Sequence, residues 1–158
     1  MLDAKRKMSQ KTYEQLTRRK IELEAEIRQR GAASSGHQRA SIHDDAGAEN
    51  ELNLLRADLN RIGNLTYVDI IQPREATDTV NLGNEIVVQY EGEETPERFL
   101  VLGYDDNVFR DDLKGRVITP ESPIGKAVLG KKPGEEASFE ASKRQVTVEI
   151  RQVLKGDF

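Results

Sequence analysis

Thr119-Pro120-Glu121-Ser122-Pro123-Ile124-Gly125-Lys126-Ala127-Val128-Leu129-Gly130-Lys131-Lys132-Pro133-Gly134-Glu135 carries the most specific structural signals in the chain. Ser122 before Pro123 is the order of an N-cap and a first helical residue. The serine oxygen accepts an orphan backbone N–H, and proline has no N–H to leave orphaned. A short helix is therefore predicted from Pro123 to about Leu129, stopped by Gly130. Pro133-Gly134 then marks a turn.

The segments around this helix have strand character. Glu85-Ile86-Val87-Val88-Gln89-Tyr90, Arg98-Phe99-Leu100-Val101-Leu102 and Gln145-Val146-Thr147-Val148-Glu149-Ile150 are rich in β-branched and aromatic residues, and Val68-Asp69-Ile70-Ile71 adds a fourth candidate. Gly83-Asn84 and Glu91-Gly92 read as turns between them. The C-terminal half is thus predicted to be an α+β domain of mostly antiparallel strands with one short helix, over residues 73–158.

Before Pro73 the periodicity differs. Tyr13, Leu16, Leu23 and Ile27 recur at heptad-compatible spacing, with Lys20 in one core-like slot and Ser9 as N-cap. A helix from Ser9 to Arg30 would be roughly 33 Å long at about 1.5 Å per residue. Gly31-Ala32-Ala33-Ser34-Ser35-Gly36 reads as its break. Apolar periodicity returns at Leu52, Leu55, Leu59 and Ile62 and weakens at Gly63-Asn64. Two narrow apolar stripes joined by a break predict an antiparallel helical hairpin, residues 1–72. Pairing Thr12 with the neighbourhood of Leu65 puts its midpoint near Gln38.

Composition fits this division. One third of the 158 residues are charged, there is no Trp and no Cys, and the net charge is −4. Disulfides and zinc–thiolate sites are excluded. No stretch nears the roughly 20 apolar residues of a membrane span, so a soluble cytoplasmic protein is expected. Residues 1–39 hold ten Lys/Arg against five Asp/Glu, whereas residues 67–158 hold twelve against eighteen. Such asymmetry suits two parts that touch different surfaces.

The stretch 119–135 resembles the C-terminal signature of the GreA/GreB transcription elongation factors, with Thr119 where that family usually has Ser. Gly83-Asn84-Glu85 and Leu102-Gly103-Tyr104-Asp105-Asp106 resemble the family's strand starts and ends. The resemblance implies an N-terminal antiparallel coiled coil followed by an FKBP-like domain. It implies that the second domain docks on bacterial RNA polymerase at the rim of the secondary channel, with Ser122, Pro123 and Ile124 at the docking edge. Capping and core packing account for the same three residues, and the two roles can coexist. The arm then carries acidic residues toward the polymerase active site. No cofactor of its own is implied; the Mg²⁺ is held by the polymerase. Oxygen ligands suit Mg²⁺, and two metals stabilise the attacking and leaving oxygens of phosphodiester hydrolysis. The factor is thus expected to be no enzyme itself. It is expected to be monomeric and to meet the nascent RNA 3′ end inside the complex and DNA only through it, with no membrane partner.

His43-Asp44-Asp45-Ala46-Gly47-Ala48-Glu49-Asn50-Glu51-Leu52 is the matching acidic segment. Asp45 and Glu49-Asn50 resemble the cleavage-factor pattern, but with three intervening residues, and Leu52 stands near the place of the usual Tyr. Asp44-Asp45-Ala46-Gly47 is similar to the inhibitory, anti-Gre members, which block the channel. Asp44, Asp45 and Glu49 are the expected acting carboxylates. They also read as charges favoured at a helix N-terminus. Arg28, Arg30 and Arg39 are candidate RNA contacts, beside the alternative of a solvated face paired with neighbouring glutamates. His37 and His43 match no standard metal-ligand spacing.

An FKBP-type prolyl isomerase or chaperone needs an aromatic-lined pocket, and this domain offers only a few rings, among them Tyr90, Phe99, Phe109 and Phe139. A free-standing nucleic-acid binder lacks an aromatic-basic motif.

Overall fold

The computed structural model describes residues 5–36 and 42–158, with side chains described for 5–32 and 46–158. Strand β1 (Arg6–Ser9) leads into helix α1 (Gln10–Gly36), which is followed by helix α2 (Ile42–Ile62) and strand β2 (Val68–Ile71). Next come β3 (Asn84–Tyr90), β4 (Glu97–Val101), α3 (Tyr104–Phe109), a 3-10 turn (Asp111–Leu113) and β5 (Val117–Ile118). The last elements are α4 (Pro123–Val128), β6 (Glu136–Ala141) and β7 (Arg144–Lys155). Two compact units result: Met1–Thr12 with Val68–Phe158, and Tyr13–Tyr67. The α+β class, the hairpin and the C-terminal sheet agree with the sequence reading.

Helix α1 passes through Gly31 instead of ending there. The expected break contains alanines and serines that a helix tolerates, and Gly31 keeps a negative φ. Within the helical unit, the predicted stripe faces inward: Leu16, Leu23 and Ile62 are buried, beside Leu65, and Leu52, Leu55 and Leu59 are half-buried. Lys20 Nζ donates to the Gly63 carbonyl at 3.1 Å, and Arg30 pairs with Glu51. These two pairings run the helices antiparallel. Gly63 adopts φ +70° and donates its N–H to the Leu59 carbonyl at 3.1 Å, a left-handed C-terminal cap. Residues 37–41, including the expected midpoint Gln38, lie outside the described residues.

The sheet unit carries a five-stranded sheet in the order β5-β4-β3-β7-β6, antiparallel except for the β4–β5 pair. Alternation along β4 sends Val101 to one face and Leu100 to the other. Val101 joins Ile86, Val88, Val128, Val148 and Ile150 in the larger core, and Leu100 joins Ile71, Leu102 and Leu113 in the smaller. Each such aliphatic side chain contributes about 1.5–3 kcal/mol on full burial. The turn before β3 is tightly specified. Gly83 has φ +94°, and a Cβ there would lie 2.3 Å from the Gln72 carbonyl oxygen. Asn84, fully buried, donates to the Glu75 carbonyl at 3.0 Å and the Leu154 carbonyl at 3.1 Å.

Five elements are absent from the sequence reading: β1, β5, β6, α3 and the 3-10 turn. The unit therefore has two short helices where one is predicted, and two parallel pairs, β4–β5 and β1–β2. The pairing of β1 with β2, Arg6 opposite Val68 through Ser9 opposite Ile71, groups residues up to Thr12 and from Val68 with the sheet. Sequence periodicity alone places that division at 72/73.

Candidate functional site

The Ser122-Pro123-Ile124 edge is built by local hydrogen bonding. Ser122 Oγ accepts the Gly125 N–H at 3.1 Å and donates to the Thr119 carbonyl at 2.7 Å. Pro123 takes the first helical position and is exposed, while Ile124 packs against the larger core. Gly125 is buried, and a Cβ on it would meet the Thr119 carbonyl oxygen at 1.8 Å. Glycine alone permits that approach. Behind the helix, Gly130 donates to the Val80 carbonyl at 2.8 Å and Val80 donates to the Lys131 carbonyl at 2.9 Å. The structure thus presents Pro123 to solvent with its neighbours held from both sides.

Next to this edge lies an open groove of about 570 Å³, lined by Lys5, Arg6, Lys7, Tyr104, Pro120 and Glu121 among others. Tyr104 is 67% exposed, an unusual placement for a large ring in this unit. Arg6 forks onto Asp105, with Nε to Oδ2 at 2.7 Å and Nη2 to Oδ1 at 2.6 Å. That bond raises the guanidinium pKa against the opposing pull of burial. Sequence reasoning misses this groove, because β1 is short and its pairing partner lies far along the chain. Gly103-Tyr104 reads as a strand end in the sequence, and that glycine is the available signal. A Cβ on Gly103 would lie 2.1 Å from the Lys7 carbonyl oxygen.

Residues 44 and 45 fall in the first turn of α2 by backbone, and their side chains, with those of His37, Arg39 and His43, lie outside the described residues. Glu49 is exposed one turn further on. Arg28 is exposed and makes no ion pair among the described residues. Arg30 bridges Glu51 and Glu26, the latter at 2.9 Å, and the bond to Glu51 leads in raising its pKa. The structure therefore separates two candidate RNA contacts that look alike in sequence.

Tyr90, Phe99 and Phe139 pack against the larger core. Among the described residues no three His, Asp or Glu side chains converge as metal ligands. No described helix is long and apolar enough to cross a membrane.

Residues 75–155 match the family described as transcription elongation factor, GreA/GreB, C-terminal. The chain is 33% identical over 92 residues to the transcription elongation factor GreA of Streptococcus pneumoniae serotype 19F (strain G54), covering 58% of this chain and 55% of that protein. It is 34% identical over 90 residues to the GreA of Limosilactobacillus fermentum, covering 56% and 54%. The chain spans about half the length of the curated relatives it matches. A solved structure of the transcription factor Gfh1 aligns over 95% of this chain and 97% of that one, with a TM-score of 0.42 and 17% identity.

Proposed function

Because this chain belongs to the GreA/GreB family of transcription elongation factors, we propose that it binds bacterial RNA polymerase at the secondary channel. In this reading the Ser122-Pro123-Ile124 edge docks on the channel rim. The hairpin α1–α2 enters the channel with Asp44, Asp45 and Glu49, which modulate the Mg²⁺-dependent active site and stimulate cleavage of backtracked RNA. The observation that carries it is the match of residues 75–155 to the family's C-terminal domain, behind an antiparallel helical hairpin.

The chemistry asks little of the arm itself. Carboxylates near the start of a stiff helix bring oxygen ligands to a metal that the polymerase already holds. Two metals then stabilise the attacking and leaving oxygens of the displacement. The arm supplies ligands and orientation, and the larger enzyme supplies the reaction centre.

A second reading is favoured by one specific feature, the run Asp44-Asp45-Ala46-Gly47. Clustered acids with a glycine in the same turn suit an anti-Gre-type inhibitor that fills the channel without promoting cleavage. A stalled, backtracked elongation complex separates the two. Faster RNA shortening with the native chain supports stimulation, and slower nucleotide addition without shortening supports inhibition. Asp45→Ala abolishes either effect if the carboxylates act on the metal. An unaltered effect in that variant removes the carboxylate role, and no association with core polymerase at micromolar concentration removes the whole reading.

A further inference from the structure

We propose that Asp106 is a positioning residue for the start of α1: its carboxylate clasps the first turn of that helix to the start of α3. This rests on the secondary-channel reading above and deepens it. Asp106 is fully buried. Its Oδ1 accepts the Ser9 N–H at 3.0 Å, the Ser9 hydroxyl at 2.5 Å and the Thr12 hydroxyl at 2.5 Å. Its Oδ2 shares the Ser9 N–H at 3.1 Å and accepts the Gly103 N–H at 3.1 Å. Ser9 and Thr12, both buried, are the N-cap and third residue of α1.

The arrangement differs from an ordinary cap. A serine N-cap normally satisfies the orphan N–H groups of its own helix, and Ser9 does this by accepting the Thr12 N–H at 3.3 Å. The Ser9 N–H and the Ser9 and Thr12 hydroxyls then go to a residue almost one hundred positions away in sequence. Around them the fit is close. The Lys7 carbonyl sits where a Cβ on Gly103 would be, and Arg6 forks onto Asp105, the neighbour of Asp106. Asp105 and Asp106 lie in the first turn of α3, where the helix dipole favours negative charge. A buried acceptor with this many donors has few alternative arrangements. The helix that starts here is unbroken to Gly36, so a loosened first turn weakens the start of the helix that forms one limb of the hairpin. Docking, assigned to the Pro123 edge, does not depend on the clasp.

Asp106→Asn tests this in the full chain. The amide keeps the shape but replaces one acceptor oxygen with a donor that faces donors. Hydrogen exchange at the Ser9 and Gly103 amides is expected to rise by about tenfold or more. On stalled elongation complexes the maximal effect is expected to fall about fivefold, with the half-saturating concentration changed by less than about twofold. A core variant, Val148→Ala, is the control for lost stability, and it leaves that maximum unchanged. Should Asp106→Asn fail to fold, Ser9→Ala removes one hydroxyl donor and is expected to shift the same readouts in the same direction. Native exchange rates at Ser9 and Gly103 would overturn the proposal. So would an undiminished maximum, a rise in half-saturating concentration alone, or an equal loss in the Val148→Ala control. If the native chain has no effect on the polymerase, the secondary-channel reading fails first and takes the positioning role with it.

Discussion

Lys20 Nζ lies 3.1 Å from the backbone carbonyl oxygen of Gly63, across the hairpin. A lysine in the apolar stripe of a helix looks like a defect, yet here its stem lies half-buried and its ammonium finds an acceptor at the end of the opposite helix. The last carbonyls of a helix lack intrahelical partners, and a cation beside them is favoured by the dipole. Lys20→Met keeps the stem and deletes the donor. The hairpin is expected to lose about 1 kcal/mol, read as a lower midpoint in urea followed by helical circular dichroism. A midpoint equal to or above native would mean that the bond contributes nothing in solution.

Gly125 against Thr119 is the tightest demand in the Ser122-Pro123-Ile124 edge. Any Cβ at 125 would lie 1.8 Å from the Thr119 carbonyl oxygen and 2.8 Å from its carbon, both backbone atoms. Neither can rotate aside, so Gly125→Ala must displace the cap of α4. A loss of at least about 3 kcal/mol is expected, or failure to fold. The measurement is the urea midpoint of the sheet unit, followed by a near-ultraviolet signal from its tyrosines. A loss under about 1 kcal/mol would show that the turn relaxes more cheaply than its geometry implies.

Gly31 makes the opposite case. It sits inside α1 without a positive φ, and nothing lies within 4 Å of the point a Cβ would occupy. Alanine there meets no obstacle and costs less backbone entropy to hold in a helix. Gly31→Ala is expected to stabilise the hairpin by about 0.5–1 kcal/mol. Destabilisation would place the helix end where the sequence alone suggests it.

That glycine illustrates what is legible in the sequence. The strand cores at Glu85–Tyr90 and Gln145–Ile150, the Ser122 cap and the hairpin stripe rest on local signals of period two, period 3.6 and capping chemistry, and all are readable. Helix α1 outruns its predicted end because a glycine reads as a stop, whereas the flanking alanines favour continuation. Strands β1 and β5 are four and two residues long, and their partners are set by tertiary pairing that no local pattern reveals. For the candidate site, the Ser122-Pro123-Ile124 edge is readable as a capping motif. The Tyr104 groove and the pairing of Arg30 with two glutamates depend on which surfaces meet. Asp106 reads in the sequence only as part of a strand end, because the donors that meet it from Ser9 and Thr12 come from the opposite end of the chain.

Acid should loosen the contact between Arg110 and Asp112. Arg110 is buried and forks onto Asp112 at 2.7 and 2.6 Å. Its hydrogen bonds, with its charge in support, hold the Asp112 carboxyl at about 2, below the ordinary 3.8. A depressed folded-state pKa means stability that is present above about 3.8 and is lost as pH falls toward about 2. The Asp112 side chain is 59% exposed, so after solvent screening the contribution is expected to stay below about 1 kcal/mol. Asp112→Asn should flatten this acid limb, and it should also cost stability at neutral pH by leaving the Arg110 guanidinium less satisfied. Urea midpoints from pH 2 to 7 check both. An unchanged slope below pH 4 in the variant would assign the acid sensitivity to other carboxylates.

Arg28 and Arg30 differ in what surrounds them, and the difference makes a prediction about RNA. Arg30 is held between Glu26 and Glu51, so its positive charge is already answered by two carboxylates. Arg28 is exposed and makes no ion pair among the described residues. A phosphate approaching the arm gains attraction from Arg28 but must compete with two glutamates at Arg30. If the arm contacts nascent RNA in the elongation complex, Arg28→Ala weakens the effect of the factor on backtracked complexes by about fivefold, while Arg30→Ala changes it by less than about twofold. The Arg28→Ala loss should also shrink as salt is raised, because an exposed charge is screened over about 10 Å at 0.1 M. Equal losses for the two variants would mean that the ion pairs of Arg30 open on binding, and no loss for either would leave α1 with a solvated basic face and no RNA contact at these positions.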